Sequence, residues 1–520
     1  MIPLSLNQIA KITDGRVADA SEGKAAGRED ASLVTGFVEF DSRKVTAGGL
    51  FVALPGAHVD GHDFAHTAIE KGAAGVLAAR EVGVPAVVVP PVERRADDNS
   101  DLAANDPDGS AAAVVEGMSK LARHVAHELV DNGTLTITGV TGSAGKTSTK
   151  DLIAAVLSQA GETVAPPGSF NNEIGHPYTV LRCSERTNFL VAEMSARGIG
   201  HIAHLATIAP PRIGVVLNVG TAHLGEFGSR ENIAQAKGEL VEALPAAAEG
   251  GVAVLNADDP FVAAMASRTT ARVVRYSAAT PAVADAEYYA TNIELDDVAR
   301  ASFDMHTPGN PPQRVCLGVF GMHQVSNALA AAAVGIECGM DAVDVAAALS
   351  SARSASANRM DLQTRADGVT IINDAYNANP ESMRAGIAAL GFTAAARPGA
   401  RSIAVLGEMG ELGNDSVGEH KALADELARY RVTDLVAVGD NPATQALASA
   451  AAGQGVRVKL VRDVDEATAA VKGIISTAPP GEANWHARED KDVILVKASN
   501  ALGLWRVAET LLENEIRNSR

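Results

Sequence analysis

The run Thr138-Gly139-Val140-Thr141-Gly142-Ser143-Ala144-Gly145-Lys146-Thr147-Ser148-Thr149 limits what this chain can fold into more than any other stretch. Leu135 to Val140 reads as a buried strand. Gly142, Ser143, Ala144 and Gly145 make a small-residue turn. From Lys146 the pattern turns helical, with Leu152, Ile153, Val156 and Leu157 on one face. Strand, small-residue loop, Lys-Thr and helix together form the layout of a phosphate-binding loop. The loop N–H groups and the helix N-terminus face an anion, the lysine adds a point charge, and the threonine hydroxyl can ligate Mg²⁺. The general pattern G-x-x-x-x-G-K-[ST] is met only in part. Its first glycine would fall at Val140, whereas the glycines stand at 139 and 142. The bland alternative, a glycine-rich turn that binds nothing, has to explain why all four features agree.

With 520 residues the chain has room for about three domains. A formal charge of −19 argues against a general nucleic-acid binder, which carries a basic face. Cys183, Cys316 and Cys338 are scattered and form no C-x-x-C pair, so they read as buried, reduced thiols of a cytoplasmic protein. The first fifteen residues lack a signal-peptide layout and no apolar run reaches about 18 residues, so no membrane span is expected.

Residues 1 to about 90 read as a small α/β module. Phe37, Val38 and Phe40 suggest a strand before Asp41-Ser42-Arg43, and a helix from Ala65 to Lys71 leads into strand-like Val76-Leu77. Ser42, Arg43 and His62 either meet a phosphate or a uracil edge or cap turns. Residues 92–112 are rich in Asp, Asn, Ser and Ala, bury little, and are expected to be a flexible insertion. A helix is expected over residues 113–131.

Beyond the phosphate loop come strands ending at Glu193, at Asn218 (with His223 close behind) and at Asn256 to Asp259. Ligands of parallel α/β sheets sit beyond the C-terminal strand ends. Several polar strand ends converging on Lys146 and Thr147 therefore point to a magnesium–nucleotide site. Glu193 and His223 offer a hard oxygen and an imidazole for the metal, or else cap helices. Lys237 lies on a helix beginning after Ser229 and, taken alone, reads as a solvated charge. His323 and Asn327 stand at i, i+4 on an alanine-rich helix; they hold a base and ribose or cap the helix start.

From about Asn358 the strands 369–372, 402–406, 434–438, 456–460 and 493–496 alternate with helices, the pattern of a doubly wound parallel sheet. Leu406 to Gly413 is not G-x-G-x-x-G and lacks a ribose-binding acid, so a dinucleotide site is rejected. Asp374-Ala375-Tyr376-Asn377-Ala378-Asn379-Pro380 is a dense polar turn at the ligand-binding end.

Together these stretches resemble the Mur ligase family along nearly the whole chain. The likeness rests on Asp41 to Arg43, Gly142 to Thr147, Asn171-Asn172-Glu173-Ile174-Gly175, Glu193, Asn218 to His223, Ala236 to Glu239, Asn256 to Asp259, Gly321 to Asn327, Asp374 to Pro380 and Leu406 to Gly413. The turn Asp374 to Pro380 points to the branch that adds a dipeptide. The resemblance implies an α/β chain of three domains. These are a small N-terminal UDP-binding module (1–112), a central P-loop ATPase-type sheet (113–356) and a C-terminal Rossmann-like doubly wound ligase domain (357–520). It implies ATP and Mg²⁺, a UDP-N-acetylmuramoyl-tripeptide and D-alanyl-D-alanine as partners, and a monomer.

Roles follow by the same resemblance. Gly142, Ser143, Ala144, Gly145, Lys146, Thr147 and Ser148 would hold the ATP phosphates. Asn256, His323 and Asn327 would meet the adenosine, and Arg359 and Asp374 the nucleotide from the C-terminal side. Thr147, Glu193 and His223 would hold magnesium. Lys237 matches a lysine that related ligases carbamylate, which turns a cation into an anionic metal ligand. Ser42 and Arg43 would lie near the uridine diphosphate, with Asn171 and Asn172 also on the acceptor; Tyr376, Asn377 and Asn379 would seat the dipeptide. Lys146, Glu193, His223 and Lys237 are the expected catalytic group. Val496-Lys497-Ala498-Ser499-Asn500 departs from the family's usual Lys-Gly-Ser-Arg. Two other readings stay open: a sibling that adds one amino acid (to the nucleotide-peptide or, as glutamate, to folate), and a P-loop nucleotide-binding protein without ligase activity.

Overall fold

The computed structural model describes all residues except 19–32, 57–58, 93–105, 107, 222–223, 354–355, 357, 411, 480, 482–484, 486–490 and 519–520. Most of the expected insertion at 92–112, and His223, therefore lie outside the described residues.

Three larger sheets organise the chain. The first has the order Arg16–Ala18, Ala86–Val88, Gly75–Ala78, Leu50–Val52, Val38–Glu39, parallel except for its first strand. The central sheet has nine strands: Gln313–Phe320, Arg300–His306, Tyr288–Leu295, Arg272–Ser277, Val252–Asn256, Ile213–Val216, Thr136–Thr141, Phe189–Glu193 and Thr163–Val164. Its last seven strands in that order run parallel, and the first two extend it as antiparallel partners. The third sheet runs Asp361–Thr364, Thr370–Asn373, Val493–Lys497, Ser402–Leu406, Asp434–Val438, Arg457–Val461, parallel apart from its first strand.

Helices cover both faces of the central sheet, as a buried parallel sheet requires. On one face Leu152, Ile153, Val156 and Leu157 of the P-loop helix (Lys146–Leu157) pack against the alanine-rich helix His323–Glu337. Ala328 to Ala333 are completely buried there. Their small side chains let the two helices approach closely; a Cβ on Gly335 would stand 2.7 Å from Val156. That approach carries Asn327 to the mouth of the P-loop.

The opposite face belongs to a core shared with the N-terminal unit. Its shared element is the helix Ser110–Asp131, which buries Val114, Met118, Leu121, Val125 and Leu129. This helix begins three residues before the expected position 113. Asp106 sets its start, accepting the N–H groups of Ala111 and Ala112 at 3.0 and 2.9 Å. Phe40 from the N-terminal unit joins Phe170 and Tyr178 of the central unit in an aromatic cluster. Glu39 accepts from Tyr178 and pairs with Arg182 beside it.

Cysteine burial departs from expectation: Cys183 is buried, but Cys338 is half-buried and Cys316 exposed. Cys316 lies on an outer antiparallel strand, where alternate side chains face water. Among the described residues no helix is long and apolar enough to cross a membrane.

Candidate active site

The P-loop is shaped by one glycine and braced by one asparagine. Gly145 caps the helix start with φ of 84°, and a Cβ there would stand 2.9 Å from Asn327 Oδ1. Both facts demand glycine. Asn218, at the end of the neighbouring strand, holds the Ala144 peptide from both sides. Its Oδ1 accepts Ala144 N–H at 2.9 Å and its Nδ2 donates to Ala144 O at 3.0 Å. The Ser143 hydroxyl accepts Gly220 N–H at 2.9 Å. Lys146 Nζ donates to Gly142 O at 2.7 Å, folded over the loop it serves.

A hydroxyl–carboxylate pair sits at the helix start. The Thr147 hydroxyl donates to Glu193 Oε2 at 2.9 Å, and Asn171 Nδ2 donates to Glu193 Oε1 at 2.7 Å. Ser169 lies 2.8 Å from the Thr147 hydroxyl and accepts Arg359 Nη2 at 2.5 Å. Lys237, on the helix Arg230–Glu242, is buried rather than solvated. Burial, with Lys146 nearby, pushes its ammonium well below the usual lysine range. Among the described residues Lys237 has no hydrogen-bonding or ionic partner. Two residues on, Glu239 caps the helix His201–Ile208, accepting Gly200 and Ala203 N–H groups.

The C-terminal unit closes the site. Lys497 is fully buried, 2.6 Å from Asp374 Oδ2, and also donates to Asn377 O at 2.9 Å. Asp374 Oδ1 accepts Met360 N–H at 3.1 Å. The Arg359 guanidinium stands over the Tyr376 ring at 4.2 Å. Asn379 caps the helix Pro380–Ala395 through Ser382 N–H at 2.9 Å and donates to Ser143 O at 3.4 Å, touching the P-loop itself. Glu381 Oε1 accepts both the N–H and the hydroxyl of Thr221, at 2.9 and 3.1 Å.

One cavity of about 1170 Å³ lies between these walls. Ser143 to Ser148, Asn171, Asn172, Glu193, His323, Asn327, Arg359, Asp374, Tyr376, Asn377 and Asn379 all line it. Ser42, Arg43, Lys237 and Asn256 are not among its lining residues. Asn256 is occupied in the fold: its Nδ2 donates to Leu217 O and its Oδ1 accepts Asp258 N–H. Arg43 is exposed in an ion pair with Asp41 that holds the Asp41 carboxyl down at about 2. His62 staples a turn, with Nδ1 on Asp60 and Nε2 accepting Ala79 N–H. Burial lowers the His323 imidazole below its ordinary range.

Two contributors had not been singled out in the sequence. Ser169 is one polar residue in a polar loop, and only its position between Thr147 and Arg359 marks it. Glu381 did carry a signal, as a charged residue in the first helical turn after the polar stretch 374–380.

Three family models match the chain: "Mur ligase family, catalytic domain" over residues 35–126, "Mur ligase middle domain" over 140–335, and "Mur ligase, glutamate ligase domain" over 358–500. The chain is similar to the UDP-N-acetylmuramoyl-tripeptide–D-alanyl-D-alanine ligase of Mycobacterium tuberculosis, 52% identical with 99% of each chain covered. It is 32% identical to the Escherichia coli protein of that name, covering 84% of this chain and 86% of that one. Among solved structures it resembles MurF from Acinetobacter baumannii, at a TM-score of 0.77, 27% identity and coverage of 98% and 99%. It also resembles MurF ligase from Thermotoga maritima in complex with ADP, at a TM-score of 0.70, 28% identity and coverage of 94% and 99%.

Proposed function

The chain belongs to the Mur ligase family, and we infer from that premise that it joins D-alanyl-D-alanine to UDP-N-acetylmuramoyl-tripeptide, with ATP consumed, in peptidoglycan synthesis. The observation that carries this reading is the single cavity shared by the P-loop and the turn Asp374 to Asn379. A nucleotide switch needs the first wall; a ligase needs both.

An amide does not form from a carboxylate and an amine in water without activation. The tripeptide carboxylate attacks the γ-phosphorus of ATP, ADP leaves, and an acyl phosphate results. The dipeptide amine then attacks the acyl carbon, loses a proton, and phosphate departs from the tetrahedral intermediate. Lys146 and the N–H groups from Gly142 to Ser148 would receive the phosphates and their developing charge. Asn218 keeps that loop preformed, so little reorganisation is needed at reaction. His323 and Asn327 would meet the adenosine, and Arg359 and Asp374 would approach the nucleotide from the C-terminal wall. For Asn256 the structure offers a different part, that of holding the strand end behind the site. Asn171 and Asn172 would contact the acceptor, whose uridine diphosphate end is assigned to the module carrying Ser42 and Arg43. Tyr376, Asn377 and Asn379 would seat the dipeptide. Contact between Asn379 and Ser143 supports a C-terminal unit that covers the acyl phosphate and keeps water from it.

The residues present fit a magnesium ion. Thr147 and Glu193 already bring a hydroxyl and a carboxylate together, the hard oxygens Mg²⁺ prefers. Lys237 is buried where the neutral amine is favoured, and that form reacts with carbon dioxide. Thr147, Glu193 and His223 would hold magnesium and carbamylated Lys237 a second magnesium, and the two ions would neutralise charge between phosphate and carboxylate.

The same reading divides the chain at residues 112 and 356, places it in the cytoplasm with its nucleotide substrates, and needs no second copy. ADP release tests it, with the nucleotide-tripeptide, ATP and either D-alanyl-D-alanine or a single amino acid (diaminopimelate, lysine or glutamate). Turnover is expected with the dipeptide alone. Turnover with a single amino acid and none with the dipeptide would sink the reading.

A further inference from the structure

Lys150 stands one helical turn beyond Lys146 and is 2% exposed. It does not line the cavity, so no ligand contact accounts for an ammonium buried there. A buried charge is costly unless it is paired and hydrogen-bonded. Its Nζ lies 2.5 Å from Asp151 Oδ1, donates to Pro166 O at 2.9 Å and reaches the Ser356 hydroxyl at 3.5 Å.

The two partners outside the helix open segments that lead to the nucleotide site. Pro166 opens the stretch that carries Ser169 and Asn171, the partners of Thr147 and Glu193. Ser356 opens the linker that carries Arg359, and Arg359 reaches back to Ser169. The contacts close a circuit: Lys150 to Pro166, along the chain to Ser169, across to Arg359, and back through Ser356 to Lys150. Thr147 is bonded to this circuit at Ser169.

Arg359 lies between two residues with left-handed backbone: Asn358, of a type that adopts it readily, has φ of 58°, and Met360, of a type that rarely does, has φ of 47°. Such a shape persists only where the surroundings impose it. Asn358 O accepts Tyr376 N–H at 3.2 Å and Met360 N–H donates to Asp374 at 3.1 Å, so the far end is anchored on the C-terminal unit. Lys150 anchors the near end on the P-loop helix.

We propose that Lys150 is a positioning residue for ligation, tying both the Ser169 segment and the inter-sheet linker to the P-loop helix. It thereby seats the C-terminal unit over a filled phosphate site. The inference rests on the ligase reading above, and failure of the wild-type protein to ligate would fall on that reading instead.

The test compares Lys150→Met and Lys150→Arg with wild type in steady-state ligation, ADP binding and melting. Asn218 still braces the P-loop in both variants, so nucleotide binding is expected to survive. For Lys150→Met, kcat falls about tenfold or more while the ATP KM stays within about threefold. Lys150→Arg, which keeps the charge and the donors, recovers most of the lost rate. Wild-type kcat in Lys150→Met overturns the proposal, as does an effect confined to KM or to melting temperature. Equal loss in Lys150→Arg and Lys150→Met, with both folded, overturns it too. Should Lys150→Met not fold, Lys150→Arg and Ser356→Ala carry the test. Ser356→Ala removes the hydroxyl that Lys150 reaches and is expected to lower kcat about twofold with ADP affinity unchanged; wild-type kcat in it overturns the proposal.

Discussion

Lys237 shows where single residues stop being legible in a sequence. Its helix places it among Gln235, Ala236, Gly238 and Glu239, a neighbourhood that reads as solvated. Burial comes from the strands and helices packed around it, which no local pattern records. Lys237→Ala is expected to lose most ligation and to regain part of it with a short carboxylic acid, which restores an anion without the side chain. Little loss and no rescue in the ADP-release assay would remove Lys237 from the site. Asn218 and Asn256 pose the same problem in another form. Both are asparagines at neighbouring strand ends on the ligand side, and only the family resemblance gives one of them, Asn256, the adenosine. The folded chain separates them, one bracing Ala144 and the other tying Leu217 to Asp258. Asn218→Ala leaves the Ala144 peptide without two hydrogen bonds, a loss of about 1–3 kcal/mol in loop order. The ATP KM should rise about tenfold or more with the melting temperature little changed; an unchanged KM would show that the loop holds itself.

Elements were easier to read than residues where a strand led into a ligand turn. The strands Ser402–Leu406 and Asp434–Val438 and the helix starts at Lys146 and Arg230 stand where hydrophobic runs and caps placed them. The antiparallel extension of the central sheet is absent from the expectations above although the sequence carries its signal. In Arg300–His306, Ala301, Phe303 and Met305 face inward and Ser302 and Asp304 lie less buried, a period of two. It carries no ligand turn, so nothing about its chemistry sets it apart from a surface hairpin. Helix Ser110–Asp131 begins early because Asp106, which accepts two of its first N–H groups, lies inside the polar stretch expected to be a loop. At the Pro380–Ala395 helix the cap and the site coincide in Asn379. Asn379→Ala is expected to cost about 1 kcal/mol of stability from the cap. It also breaks the contact with Ser143 O, so the dipeptide KM should rise as well. A denaturant midpoint that shifts while the dipeptide KM stays fixed would reduce Asn379 to a cap alone.

At the scale of the molecule, three sheets and their sequence order were legible from alternating strands and helices, but the joints between them were not. Contacts such as Glu381 with Thr221, Asn379 with Ser143 and Tyr178 with Glu39 link residues more than a hundred positions apart, and no spacing announces them. Within the central unit His176 makes a shorter-range joint, 29 positions apart in the chain, and it makes stability depend on pH. Its Nε2 bonds Leu205 O at 3.1 Å, linking the helix Gly175–Val180 to the helix His201–Ile208. Complete burial, aided by the charge of His204, pushes the imidazole down to about 4, against the opposing effect of carbonyl hydrogen bonds. The unfolded chain, titrating near the ordinary 6.5, therefore binds more protons than the folded one between those values. The stability that the neutral ring contributes is fully present above about pH 6.5 and is lost as pH falls toward 4, by about 3 kcal/mol in all. Denaturant midpoints measured from pH 7.5 down to 4.5 should fall steadily in the wild type. His176→Gln keeps a donor for Leu205 but cannot bind a proton, so its midpoint should fall less steeply over the same range. Parallel slopes for the two proteins would assign the acid sensitivity to other groups, of which buried His420, also lowered by burial, is the next to test.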